Sequence, residues 1–510
     1  MSAVPPTPAP PTGVRAPAAP ETDSRHYAQG MVTSVVLALV VAAKEVLFLP
    51  LLSKGLGPAE FGLWTMVRTV VQLFLPLALL GIENGMMRFW PALAQDRRAF
   101  PGTAAGILLA ALGSATAVSG IALLAALGLL PRALRVLALA AALLAWGTVA
   151  RQWFVTHFRA THAFAILTAL VVAEAGGDLL AAGAALAAGG RVVGVVAALA
   201  LVRGATVLAA LLAFGRTLGW APPRLDHLGE LVRFGAPTLP VALCLWLLNL
   251  SDRYLIAYFH GSEAVGVYAA AYGIGSVVIL LFRPFFFNLN VVAAGRWDGG
   301  DRAGALRLVA AALRYGLLVA IPVSALLGVV SRNLVRLLAS EAFVGGAGLI
   351  CIIAFAHVLF HVSAFFEIIL ELLYRTKVLA AVYASAAGIN VALNLVLLPR
   401  FGIAAAAVTT LLSFALMAAL SQWFVAREVP VWPLWREMVP SLAKCLAATG
   451  AVVLAVRAWA PDGRGEALLA VAGGLAAYAG LLFALGGVSW AEVRALVASL
   501  HAAWGGKVAK

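Results

Sequence analysis

From residue 31 onward the chain alternates long apolar runs with short polar breaks. The runs are too long and too evenly apolar for the half-buried helices of a water-soluble core. About twenty helical residues cross roughly 30 Å of hydrocarbon. Runs of that length fall near 31–52, 58–80, 103–128, 133–156, 165–188, 192–214, 234–256, 264–286, 307–330, 346–373, 376–398, 402–426, 439–459 and 466–488. The pattern predicts an all-α polytopic membrane protein with about fourteen transmembrane helices. Where neighbouring runs nearly touch, a glycine or proline turn such as "KGLGPAE" (54–60) or "HGSEA" (260–264) makes the reversal.

Composition agrees with the pattern. Of 510 residues, 63% are hydrophobic and 11% charged, against roughly 25% charged in a soluble domain. The net charge of +14 reads as basic cytoplasmic loops rather than a nucleic-acid surface. With both termini in the cytoplasm, about 20 Lys/Arg fall on the cytoplasmic side and about 9 opposite. The cytoplasmic set includes Arg88, Arg97, Arg98, Arg216, Arg224, Arg233, Arg296, Arg302 and Arg307. The expected topology is therefore N-in, C-in. Cys244, Cys351 and Cys445 all lie in apolar runs and form neither a CxxC pair nor a disulfide framework. Residues 1–28, with seven prolines in the first twenty positions, read as a disordered cytoplasmic tail without a signal-peptide core. Two tryptophan-bearing stretches, "EVPVWPLWREM" (428–438) and "SWAEVRALVASLHAAWGGKVAK" (489–510), read as interfacial pieces.

The chain also repeats. "KGLGPAEFGLW" (54–64) and "YFHGSEAVGVY" (258–268) superpose Gly57 on Gly261, Gly62 on Gly266 and Trp64 on Tyr268. A turn and small-residue helix, "GGRVVGVVAALAL" (189–201), resembles "LPRFGIAAAAVTTL" (398–411) near the same offset. This predicts an N-lobe (29–216, helices 1–6) and a C-lobe (217–428, helices 7–12), two six-helix pseudo-repeats. Residues 429–510 add helices 13 and 14 and the tail. Duplicated bundles of this kind place a cargo site between the halves.

Ions inside the spans narrow the chemistry. Lys44 and Glu45 sit within "SVVLALVVAAKEVLFLPLL" (34–52), where a charge costs roughly 2.5–3.5 kcal/mol unless it faces a cavity or a partner. Adjacent residues point about 100° apart on a helix, so the two charges are expected to find different neighbours. Arg68 shares a stripe with Trp64 and Gln72, and Arg151, Arg203, Arg253, Arg314 and Lys444 lie in or near spans. Glu174 and Asp178 stand at i, i+4, as do Asn390 and Asn394; His357, His361, Glu367 and Glu371 lie on one run. HxxxH spacing without a third ligand predicts no metal site, and no cofactor motif is present. No Walker loop, dinucleotide fingerprint or nucleophile–base pair lies outside the lipid, so an enzyme is not expected.

Three segments carry a family resemblance. "LFLPLLSKGLGPAEFGLWTMVRTVVQLFLPLALLGIENGMMRFWP" (47–91) resembles the opening of bacterial polysaccharide flippases. "SDRYLIAYFHGSEAVGVYAAAY" (251–272) looks like the opening of their second half, and "NVALNLVLLPRFGIAAAAVTTLLS" (390–413) is similar to the pattern before their twelfth helix. These proteins form the oligosaccharide-flippase branch of the multidrug/oligosaccharidyl-lipid/polysaccharide exporter superfamily. The resemblance implies alternating access in the bacterial inner membrane. Its cargo would be an undecaprenyl-diphosphate-linked glycan for surface or exopolysaccharide biosynthesis, with a polysaccharide polymerase and export proteins as partners and no nucleic acid. A diphosphate cannot enter lipid bare, and guanidinium and ammonium groups suit it. Lys44, Arg68, Arg253 and Arg151 are the expected substrate contacts, with Arg88 at the cytoplasmic entrance; structural pairing with acids is the alternative for each. Glu174, Asp178, His357, His361, Glu367 and Glu371 are coupling candidates. A cation-coupled multidrug exporter and a lipid II flippase remain open alternatives, whereas a membrane glycan polymerase would want a larger outer loop.

Overall fold

The computed structural model describes residues 21–494 apart from 130, 287, 288, 462 and 493. The first part of the chain folds into α1 (Glu21–Leu79), α2 (Ile82–Leu93), α3 (Phe100–Leu129), α4 (Arg132–Ala160), α5 (Phe164–Ala187) and α6 (Val192–Leu218). Next come α7 (Leu228–Gly235), a 3-10 turn (Ala236–Thr238), α8 (Leu239–Leu250), α9 (Asp252–Gly275), α10 (Val278–Phe286) and α11 (Leu289–Asp298). The remainder forms α12 (Arg302–Val329), α13 (Ser331–Leu338), α14 (Leu349–Leu372), α15 (Thr376–Phe401), α16 (Ile403–Ala426), α17 (Trp432–Trp459) and α18 (Arg464–Ala484). No strand occurs among the described residues, as expected where lipid leaves helices to satisfy their own backbone.

Thirteen helical stretches among the described residues are long and apolar enough to cross a membrane. Two of them, Val36–Leu79 and Leu228–Gly275, run to 44 and 48 residues, about twice what one crossing needs. Each is interrupted by a glycine. Gly57 takes φ 70°, ψ 173°, and Gly261 takes φ 80°, ψ 174°. Positive φ strains a residue with a Cβ, so the two turns aligned in the sequence share one backbone solution. The proline-rich stretch ends at Pro20. Residues 21–28, expected to be disordered, therefore open α1; positions 1–20 and most of the 489–510 segment lie outside the described residues. Trp432 and Trp435, expected at the interface, fall in the first turns of α17.

α1 packs against α4 and α5 on one side and against α9 on the other. α14 is the centre of the second group, buried against α16, α12 and α9, while α15 covers α16. The buried face of α16 carries Ala406, Thr410, Ser413 and Ser421, small residues that let helix axes approach in lipid. α17 and α18 lean on α12. The segment after α6 folds back over α3, where the Arg224 N–H donates to the Gly102 carbonyl at 2.9 Å. α7 then packs on α2.

Two backbone seams join the groups. A Cβ on Gly62 would lie 1.8 Å from the Ser262 carbonyl oxygen, and one on Gly266 would lie 1.9 Å from that of Pro58. Toward the other end of α1, a Cβ on Gly81 would lie 2.3 Å from the Gly235 carbonyl, and Asn84 Nδ2 donates to Thr238 Oγ1 at 3.0 Å. The helical path between Gly62 and Gly81 is about 28 Å, close to a hydrocarbon thickness. Main chain meets main chain at two levels about one hydrocarbon thickness apart.

Candidate functional site

Between the seams lies a cavity of about 350 Å³. α1 contributes Glu45 from before its glycine break, and Trp64, Arg68 and Gln72 from after it. These last three recur every four residues, so one helix face presents them all. α9 contributes Arg253 and Tyr272, and α10 contributes Arg283. Three guanidiniums and one carboxylate thus line a space whose remaining wall is largely apolar.

The three arginines differ in what holds them. Arg253 is buried; Nη1 donates to the Asn249 carbonyl at 2.5 Å and to Asp252 Oδ1 at 2.7 Å. Its guanidinium lies over the Tyr272 ring at 4.4 Å, and Tyr268 donates its hydroxyl to the other Asp252 oxygen. Arg253 is a fixed, internally balanced charge. Arg68 is nearly half exposed to the cavity and meets Glu45 Oε2 through Nη2 at 2.8 Å. Arg283 is exposed and forms no ion pair among the described residues. Arg68 and Arg283 therefore offer the movable positive charge.

Lys44 turns away from this cavity. Its Nζ reaches Asp178 Oδ2 at 3.1 Å, and Glu45, one residue on, turns to Arg68. Asp178 also receives Arg203, while Glu174 receives Arg151 at 2.6 Å and Arg203 at 3.0 Å. Three cations and two carboxylates tie α1, α4, α5 and α6 together. Both carboxylates of the cluster are engaged at both oxygens. Arg151 thus lies in this cluster rather than in the cavity, and Arg88 is exposed on α2.

The second group of helices holds the other candidates. His357 is buried with its ring edge against Tyr272 at 5.3 Å, and neither ring nitrogen finds a hydrogen-bond partner. His361 Nδ1 bonds to the His357 carbonyl at 2.7 Å, and its ring stacks on Phe282 at 4.3 Å. The HxxxH pair is thus spent on backbone and aromatic contacts. Glu367 accepts from Ser363 at 2.6 Å and from Tyr383 at 2.5 Å, whereas Glu371 is exposed. Asn394 donates to Asn390 and accepts from Thr409 at 2.9 Å. No group of three metal-ligating side chains occurs among the described residues.

Sequence reasoning brought Arg68 and Arg253 to the cavity but passed over Arg283 and Tyr272. The rule that singled out Arg68, a charge within an apolar run, applies equally to Arg283 in "VVILLFRPFFF" (277–287). Its closeness to the end of that run hid it.

Comparison with known proteins completes the picture. Residues 28–288 match the family model described as polysaccharide biosynthesis protein. An uncharacterized membrane protein of Methanocaldococcus jannaschii, MJ1068, is 22% identical over 183 residues, 35% of this chain and 36% of that one, so the match spans about a third of that relative's length. In fold, the lipid II flippase MurJ in an inward closed conformation is similar at a TM-score of 0.70 and 11% identity, over 88% of this chain and 98% of that one. A multidrug resistance MATE family transporter of the MOP superfamily, in an inward-facing conformation, is similar at a TM-score of 0.62 and 15% identity, over 78% and 96%. A MOP superfamily transporter from Pyrococcus furiosus is similar at a TM-score of 0.53 and 14% identity, over 80% and 95%.

Proposed function

The chain belongs to the polysaccharide biosynthesis protein family, and from that premise we propose that it flips a polyprenyl-diphosphate-linked oligosaccharide across the bacterial inner membrane. The observation that carries this reading is the cavity wall: Arg68 and Arg283 face one space from different helix groups, and Arg283 is uncommitted. A diphosphate brings about two negative charges and oxygen acceptors that match guanidinium forks. The sugars need only a wet lumen, and the polyprenyl chain stays in lipid. No covalent step is required of the protein, so the role is that of a transporter rather than an enzyme.

Movement follows from the seams. We take the 44-residue stretch as two crossings, and the 48-residue stretch together with Val278–Asp298 as two more, for fourteen crossings in all with both termini in the cytoplasm. The Gly62–Gly266 seam then faces the periplasm and the Gly81–Gly235 seam the cytoplasm. Opening one while the other stays closed exposes the cavity to one side at a time, with Arg88 at the cytoplasmic mouth. An exporter of organic cations would want an acidic cavity; here Asp252 balances Arg253, and Arg68 and Arg283 still outnumber Glu45, which is the reverse. A lipid II flippase shares the diphosphate chemistry and differs only in the sugar.

The test is genetic and chemical. A strain lacking this chain should accumulate polyprenyl-linked oligosaccharide in the inner leaflet, and restoring the chain should clear it. Normal surface polysaccharide in the deletion strain, together with new sensitivity to lipophilic cations, would overturn the reading.

A further inference from the structure

We infer that Glu45 is a resident counter-ion, a carboxylate that holds Arg68 in the empty cavity and is displaced by the anionic head group of the cargo. This rests on the proposed diphosphate-linked cargo and adds a role that neither charge count nor family membership supplies.

The geometry separates Glu45 from every other acid near the cavity. Asp252 is buried and saturated by Arg253 and Tyr268. Asp178 and Glu174 are held inside the cluster of Lys44, Arg151 and Arg203. Glu45 alone among the cavity-lining residues carries negative charge, and its side chain keeps 38% of its exposure. It pairs with Arg68 at 2.8 Å through one oxygen, while Lys44, committed to Asp178, stands 3.9 Å from the other. The pair is therefore strong enough to find its geometry and open enough to be exchanged.

A lone guanidinium facing a largely apolar cavity within lipid is costly. When the cavity is empty, Glu45 supplies the missing charge. When a diphosphate oxygen arrives at Arg68, two anions compete for one cation, and the carboxylate swings off. Release runs in reverse: Glu45 returns to Arg68 and weakens the hold on the head group. Affinity is thereby traded for turnover, since a ligand binds less tightly by whatever the competing contact contributes.

The inference predicts a change of unusual sign. Glu45→Gln should tighten binding of the sugar-free C55 polyprenyl diphosphate about three- to tenfold, the scale of a half-exposed ion pair plus relief of anion repulsion. Its flipping rate in proteoliposomes should fall, because release slows. Glu45→Asp should keep near wild-type affinity, and the gain from Glu45→Gln should shrink clearly in an Arg68→Gln background, where only the relief of anion repulsion remains. Binding is read by native mass spectrometry on protein whose melting temperature matches wild type. Wild-type binding that depends on Arg68 but is unchanged or weakened by Glu45→Gln overturns the counter-ion role alone. No Arg68-dependent binding of the diphosphate in any variant overturns the cargo reading as well.

Discussion

Arg203 meets Asp178 through both terminal nitrogens, 3.1 Å to Oδ1 and 2.8 Å to Oδ2, inside a cluster of three cations and two carboxylates. Removing a cation from this set leaves charge in balance; removing Asp178 leaves three positive groups with Glu174 as the one carboxylate of the set. Asp178→Asn is expected to cost about 3–5 kcal/mol, the range for breaking a buried ion pair, and Lys44→Met clearly less. Thermal unfolding in detergent checks the order; equal losses would mean that the cluster is not charge-limited.

Gly62 is closed against a carbonyl, not against a side chain that could step aside. Gly62→Val should hold the Gly62–Gly266 seam, which the proposed topology turns outward, open while the protein still inserts and folds. With the native cysteines replaced and a reporter cysteine at Ser276, which lines the cavity, labelling by an impermeant maleimide from outside should rise several-fold and flipping should cease. Unchanged labelling would show that this contact is not a gate.

His357 is buried among rings with both nitrogens unsatisfied. Replacing an unpaired buried polar group with an apolar one of like shape is neutral or stabilising. His357→Phe should hold or raise the melting temperature and keep transport. Loss of gradient-driven transport in the folded variant would reassign His357 to coupling.

Beyond α18, Glu492 joins the C-terminal turn to α12: Arg314 donates to it at 2.7 Å and the Ser489 N–H at 2.7 Å. Burial pushes its carboxyl up, but the Ser489 N–H and the Arg314 guanidinium outweigh that and hold it at about 2, below its ordinary 4.5. An acid depressed in the folded state adds stability above its free value, and loses it as pH falls from there through the folded one. Protection of the turn's amides, relative to their intrinsic exchange rates, should fall between about pH 4.5 and pH 2 in wild type, and be low throughout with Glu492→Gln. A flat wild-type profile would exclude this clasp.

Much of the fold was legible because lipid enforces one rule, about twenty apolar residues per crossing, and because glycine turns punctuate it. The divergence of Lys44 and Glu45 followed from helix geometry alone. What the sequence hid was partnership. Lys44 and Arg68 look alike as in-span cations, yet one faces a buried cluster and the other the cavity. That outcome depends on where α5 and α6 place Asp178 and Arg203, far away in the chain. The recruitment of α7 to α2 was equally invisible, since it rests on the contact of Gly81 with Gly235 rather than on any local pattern.

The central claim is that Arg68 and Arg283 together receive an anionic head group. Its most direct measurement is flipping of a fluorescent polyprenyl-diphosphate oligosaccharide in proteoliposomes by wild type and by the folded double variant Arg68→Gln/Arg283→Gln. Two lost charge-assisted bonds, at about 1.5–3 kcal/mol each, predict a fall of at least about a hundredfold. Flipping at the wild-type rate by the double variant would contradict the account.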